Sequence, residues 1–99
     1  MRVEILYFEG CPNHASTVEL VRQSIDECGV SAQLEEVEVR DDAHAQQLRF
    51  LGSPTVRVDG VDVEGDADSR RDYAIVCRMY GETGIPSRDL VVTALKREA

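Results

Sequence analysis

The sequence lacks the features that membrane proteins, nucleic-acid-binding proteins and disulfide-rich proteins need. It has no tryptophan and no low-complexity run, and nineteen acidic residues outnumber eleven basic ones, for a net charge of −8 at pH 7. Nucleic acids and anionic membranes require a clustered basic surface, so both are poor partners. The longest early apolar run, residues 3–8, contains Glu4 and is too short for a signal peptide or a membrane span. We therefore expect a cytoplasmic protein.

Cysteine is also scarce, and its three copies do not suggest a disulfide framework. An odd number at irregular spacing is untypical of small secreted proteins, so each cysteine is treated as a thiol. A chain of 99 residues with 42% hydrophobic and 30% charged residues is expected to fold as one globular domain, residues 1–99. A chain of this length can bury about two-thirds of its surface on folding without the help of disulfide bonds.

Apolar periodicity predicts an α/β fold with the order β-α-β-α-β-β-α-α. The strands are expected at residues 3–8, 31–39, 56–58 and 61–63, and the helices at 11–28, 43–50, 73–80 and after Ser87. Asp59-Gly60 between two alternating runs predicts an antiparallel hairpin. A slip in the apolar phase of the second strand predicts a β-bulge near Glu35 and Glu36.

A cysteine at the predicted start of the first helix is the main candidate for chemistry. Cys11-Pro12 follows Gly10, and proline suits a first helical turn. The free amides and positive dipole end of a helix N-terminus favour the thiolate, which is the nucleophilic form of cysteine. His14 lies one turn further on, where its imidazolium can pair with the thiolate or its neutral ring can act as a base.

The stretches YFEGCPNH, FLGSPTVRVDGVDVE and CRMY with GIPS resemble the thioredoxin-like superfamily, and specifically small bacterial thioredoxin-like proteins. Some of these relatives are labelled alkylmercury lyases, and some carry selenocysteine at the position of Cys11. The resemblance implies a glutaredoxin-sized β-α-β-α-β-β-α core with an extra C-terminal helix. It also implies a cis peptide bond before Pro54, and a substrate-docking surface formed by Pro12 with Ser53, Pro54 and Thr55.

One departure from that pattern determines which thiol chemistry is open to the protein. His14 stands where a dithiol oxidoreductase has its second cysteine, so a Cys-X-X-Cys disulfide cannot form. The resolving thiol must come from glutathione or another low-molecular-weight thiol, from a partner, or from a distant cysteine. Cys28 continues the apolar stripe of the first helix and is expected in the core. Two roles are left for Cys77, which is either a core residue or the resolving thiol.

Arg78 and Tyr80 share the predicted helix with Cys77. We expect a surface cation and a core aromatic there, although either could line the site.

The sequence therefore favours a thiol-dependent redox protein, a monothiol oxidoreductase in which Cys11 reacts with a disulfide, a peroxide or another electrophile and His14 assists. Two alternatives remain, namely a non-catalytic binding module and a soft-metal or organomercurial thiolate binder. No cofactor and no dedicated metal site are expected, because the sequence has neither a phosphate-binding glycine loop nor a clustered metal-ligand motif.

Overall fold

The computed structural model describes residues 1–99 as an α/β fold with one four-stranded mixed sheet and three α-helices. The strands are β1 (Arg2–Tyr7), β2 (Gln33–Glu38), β3 (Thr55–Val58) and β4 (Val61–Asp62), and the helices are α1 (His14–Cys28), α2 (Asp42–Leu48) and α3 (Arg88–Glu98). The strand order is β2-β1-β3-β4, with β1 parallel to β2 and antiparallel to β3. None of these helices combines the length and the apolar composition that crossing a membrane would require.

The two faces of the sheet are covered by different helices. Helices α1 and α3 pack together on one face, over a core formed by Val3, Ile5, Val21, Val56, Val58, Val63, Val91, Ala94 and Leu95. A smaller core of Leu6, Val39, Ala45 and Phe50 lies on the face of α2. Alternate residues of β1 and β3 therefore contact opposite helical layers, as the two-residue period of a strand requires.

Helix α1 begins at His14, three residues later than the start at Cys11 that the proline predicted. Cys11 to Asn13 form a separate turn, in which the Cys11 amide donates to the Phe8 carbonyl (3.2 Å) and the His14 amide donates to the Cys11 carbonyl (3.4 Å). Cys11 therefore lies two residues before the N-cap, Asn13. The predicted end is confirmed, because Gly29 adopts a left-handed conformation (φ 64°) and its amide bonds the last carbonyls of the helix.

The predicted bulge in β2 is wrong. The strand pairs with β1 without interruption from Gln33 to Glu38. The change of apolar phase has another cause, since Leu34 packs on the core of α1 and α3 while Val37 packs on the core of α2. A strand covered on both faces can place apolar residues at either parity.

The other local signals are confirmed with small shifts of boundary. The Asp41 side chain accepts a hydrogen bond from the His44 amide (2.8 Å) and caps α2, which ends at Leu48. The β3–β4 hairpin is antiparallel, and Asp59 and Gly60 both have positive φ (49° and 83°), as a type I′ turn requires.

The helix predicted at residues 73–80 does not form, although its apolar spacing is helical. The chain there is irregular, with Val76 and Cys77 exposed and one isolated parallel bridge between Ser53 and Cys77. The observed order is therefore β-α-β-α-β-β-α. Helix α3 packs on α1 and is the last helix of the core, so there is no extra C-terminal helix.

Candidate functional site

Three loops meet at one end of the sheet. Because β1 and β3 are antiparallel and Leu6 pairs with Thr55, the loop that leaves β1 lies beside the turn that enters β3. The first loop carries Cys11 and the second carries Ser53. The third, residues 74–84, reaches both: it is bridged to Ser53, and its Gly84 lies against the Asn13 side chain so closely that a Cβ atom there would clash with it. The predicted site residues are thus brought to the same end of the fold.

Cys11 is a half-exposed free thiol in the turn that precedes α1. Pro12, beside it, is exposed. The amides of Ala15 and Ser16, in the first turn of the helix, have no backbone partner, which is normal for a helix start. Cys11 therefore lies in the turn just before the electropositive N-terminus of α1, although it is not itself a helical residue.

The imidazole ring of His14 is held by two neighbours, Tyr7 and Glu36, and not by Cys11. Its ring stacks on Tyr7, with 3.7 Å between centroids and 8° between planes. Its Nε2 atom lies 2.7 Å from Oε1 of Glu36, and no hydrogen bond joins it to the Cys11 sulfur. A carboxylate only accepts hydrogen bonds, so Nε2 carries the hydrogen and, in the neutral ring, Nδ1 is left as the acceptor. This arrangement makes Nδ1 a candidate base.

Glu36 is the residue that the sequence reasoning missed. It pairs with Ile5, whose side chain faces α1, so Glu36 projects toward the start of that helix. The sequence does contain a signal for this position of Glu36. Leu34 and Glu36 are two residues apart on one strand, so an apolar Leu34 on the α1 face puts the Glu36 carboxylate on the same face. The predicted β-bulge near Glu35 and Glu36 would have broken this alternation, so it hid the relation between Leu34 and Glu36.

The turn before β3 is more enclosed than a docking surface would suggest. Ser53, Pro54 and Thr55 are all buried, and the Ser53–Pro54 peptide bond is cis, as the resemblance implies. The Ser53 amide donates to the Val76 carbonyl (2.8 Å), and the Ser53 carbonyl accepts from the Arg78 amide (2.9 Å). Both backbone groups of Ser53, a residue of the expected docking surface, are thus paired within the chain. The Ser53 hydroxyl is fully buried and has no hydrogen-bond partner.

Arg78 is a buried anchor, contrary to the surface cation that helical spacing predicted. Its side chain is 1% exposed, and all five of its N–H donors are used. Asp62 accepts from both terminal nitrogens (2.8 and 2.9 Å), Glu64 accepts from Nε and Nη2 (3.1 and 2.8 Å), and Thr55 Oγ1 accepts from Nη1 (3.0 Å). Burial acts to lower the pKa of Arg78, but the combined effects of Asp62, Tyr80 and Glu64 outweigh it and raise that pKa above its ordinary value.

Tyr80 completes this anchor from the other side. Its hydroxyl donates to the Pro54 carbonyl (2.6 Å), and the Arg78 guanidinium lies 4.7 Å from the centre of its ring. Burial raises the pKa of the Tyr80 phenol well above its ordinary value of about 10, and the nearby Arg78 charge offsets only part of that effect. The phenol therefore remains a hydrogen-bond donor.

One cleft of the fold borders the Arg78 ion pair through Asp62 but does not include Cys11 or His14. It has a volume of about 170 Å³ and lies beside the β3–β4 hairpin, lined by Arg49, Arg57, Asp62, Asp68 and Tyr73 among others. It contains none of the predicted site residues. No group of three or more histidine, cysteine or carboxylate side chains is arranged to hold a metal ion. Cys28 is partly buried against the core of α1 and α3, as predicted.

Comparison with known proteins yields no family model, no curated protein sequence and no solved structure that matches this chain.

The contact between His14 and Glu36 predicts a single tautomer. The neutral ring should carry its hydrogen on Nε2, and long-range ¹H–¹⁵N NMR should detect this in the wild type. Glu36→Ala should give a mixture of tautomers, whereas Glu38→Ala, on the same strand with no side-chain bond, should not. An Nδ1–H tautomer in the wild type would contradict the assignment of Nδ1 as a base.

The raised pKa of Tyr80 predicts a loss of stability at alkaline pH. In the unfolded chain the phenol ionises near pH 10, while in the folded protein it stays protonated to a higher pH. Its contribution is thus fully present below about pH 10 and is lost as the pH rises further. Urea unfolding should show a steeper alkaline decline for the wild type than for Tyr80→Phe. Parallel declines would show that the phenol is not buried as described.

Proposed function

We propose that this protein is a thioredoxin-like thiol oxidoreductase that uses one nucleophilic cysteine, Cys11, in exchange with disulfides. The element order β-α-β-α-β-β-α, a free cysteine just before α1 and a cis-proline just before β3 support the proposal, because the resemblance implies each of them. Its three free cysteines suit a reducing compartment, so we also propose a cytoplasmic location.

The observation that carries the proposal is the fixed histidine beside the Cys11 turn. His14 is the first residue of α1, and helical side chains lean toward the helix N-terminus, which here is the turn containing Cys11. The stacking on Tyr7 and the hydrogen bond to Glu36 hold the ring and leave Nδ1 as acceptor. A histidine oriented by a carboxylate next to a cysteine is the usual arrangement that activates a thiol nucleophile.

The proposed reaction is one thiol–disulfide exchange. Nδ1 of His14 takes the proton of the Cys11 thiol, and the thiolate attacks one sulfur of a low-molecular-weight disulfide such as glutathione disulfide. A bond forms between Cys11 and that sulfur, the original sulfur–sulfur bond breaks, and the leaving thiolate takes up a proton. The exchange needs no added oxidant or reductant, because one sulfur–sulfur bond breaks for the one that forms among the three sulfur atoms.

Replacement of Cys11 tests the proposal directly. With glutathione disulfide as the probe, Cys11→Ser should abolish the rapid release of glutathione, and Cys28→Ser, at the far end of the same helix, should leave the rate unchanged. His14→Ala should lower the rate at neutral pH by about 10²-fold, since positioned proton transfer contributes at least that much. Stopped-flow detection of released thiol measures all three rates.

The alternative classes predict different results from the same variants. If Cys11→Ser releases glutathione at the wild-type rate, Cys11 is not the nucleophile and the proposal fails. If the wild type itself reacts no faster than a thiol in an unfolded peptide, the binding-module alternative is favoured. Circular dichroism of each variant confirms that the comparison is between folded proteins.

A further inference from the structure

The segment Val76–Arg78, here called the covering strand, lies against the turn before β3 and forms an isolated parallel β-bridge with it. Both backbone groups of Ser53 bond to it, and Cys77 is the residue directly opposite Ser53. The approach is close, because a Cβ atom on Gly52 would lie 3.1 Å from the Val76 carbonyl oxygen and 3.1 Å from Cβ of Arg78. Glycine at position 52, with φ of 123°, is what allows this contact.

The covering strand has a fixed orientation because Arg78 is anchored. Arg78 reaches Thr55, whose side chain lies on the α2 side of β3, since its neighbour Val56 faces α1 and α3. Asp62, another partner of Arg78, pairs with Arg57 of β3, whose guanidinium donates to two carbonyls at the end of α2. The Arg78 side chain therefore lies on the α2 side of the sheet.

Cys77 consequently points the other way. Successive side chains of an extended segment alternate between faces, so the Cys77 thiol projects to the side of α1 and α3. That is the side on which the Cys11 turn leads into α1, and it is the side on which His14 stacks on Tyr7. Cys77 is exposed, so its sulfur is free to react.

We propose that Cys77 is the resolving thiol of Cys11 and that the covering strand presents it there. This inference rests on the proposed function, because it needs a mixed disulfide at Cys11. The Cys77 thiol loses its proton to water, and the thiolate attacks the Cys11 sulfur. A Cys11–Cys77 disulfide forms, the bond from Cys11 to glutathione breaks, and glutathione leaves as the thiolate. An external thiol such as glutathione later reduces the protein disulfide.

This arrangement has a kinetic consequence. A thiol held beside the mixed disulfide acts at a high effective concentration, so resolution is first-order and independent of the concentration of free thiol. With an external resolving thiol, the rate would instead rise in proportion to glutathione.

The experiment mixes reduced protein with glutathione disulfide, quenches with acid and measures the intact mass over time. We expect the wild type to lose two hydrogens, with the glutathione adduct only transient. Cys77→Ser should accumulate the adduct on Cys11, and Cys28→Ser should behave as the wild type. A double variant, Cys77→Ser with Val76→Cys, keeps the number of thiols but moves one to the opposite face, and it should also accumulate the adduct.

The outcomes separate this inference from the proposed function. A stable adduct on Cys11 in the wild type, equal to that in Cys77→Ser, would overturn the inference and leave the proposed function intact. The absence of any adduct on Cys11 in Cys77→Ser would overturn both. An internal disulfide in the double variant, formed as fast as in the wild type, would overturn the inference that the covering strand presents Cys77 to Cys11.

Discussion

The ion pair of Arg78 with Asp62 and Glu64 is the interaction on which the structure of the candidate site depends. A guanidinium that is 1% exposed is stable only because every donor has a partner. Removing one partner of such a buried pair typically costs about 3–5 kcal/mol, since the remaining charge stays buried. The pair joins β4 to a segment with no regular structure of its own, and it adds to the Ser53 bridge and the Tyr80–Pro54 hydrogen bond that also hold this segment.

That loop determines which backbone groups and which thiols are accessible at this end of the sheet. It pairs with both backbone groups of Ser53, so an extended peptide that needs those groups must first displace the covering strand or bind to its outer edge. It also places one thiol on the strand opposite Ser53, while another, Cys11, lies in the neighbouring turn. If Cys77 is the resolving thiol, as we propose, the protein has no need of a Cys-X-X-Cys motif, which is absent because His14 stands at its second cysteine position.

Much of the fold follows from local signals, whereas the contacts that shape the site do not. Gly29 ends α1, Asp41 caps α2 and Asp59-Gly60 turns the hairpin because each acts on its own backbone. Residues 73–80 have helical spacing, but the partners of Arg78 lie 14 to 23 residues away, and those contacts outweigh local preference. His14 and Glu36 are 22 residues apart and meet only through the register of β1 and β2. The sequence indicates Cys11, Ser53 and Pro54 as candidate site residues, but it does not indicate the contact of Glu36 with His14 or the burial of Arg78.

Amide hydrogen exchange at Ser53 and Arg78 tests most directly whether the ion pair holds the covering strand in place. Both amides donate within the bridge, so the account predicts that both are protected in the wild type. In Arg78→Met, which keeps an unbranched chain but removes the charge, their protection should fall while that of the Val21 amide in α1 persists. Fast exchange at both positions in the wild type, with Val21 protected, would contradict the account.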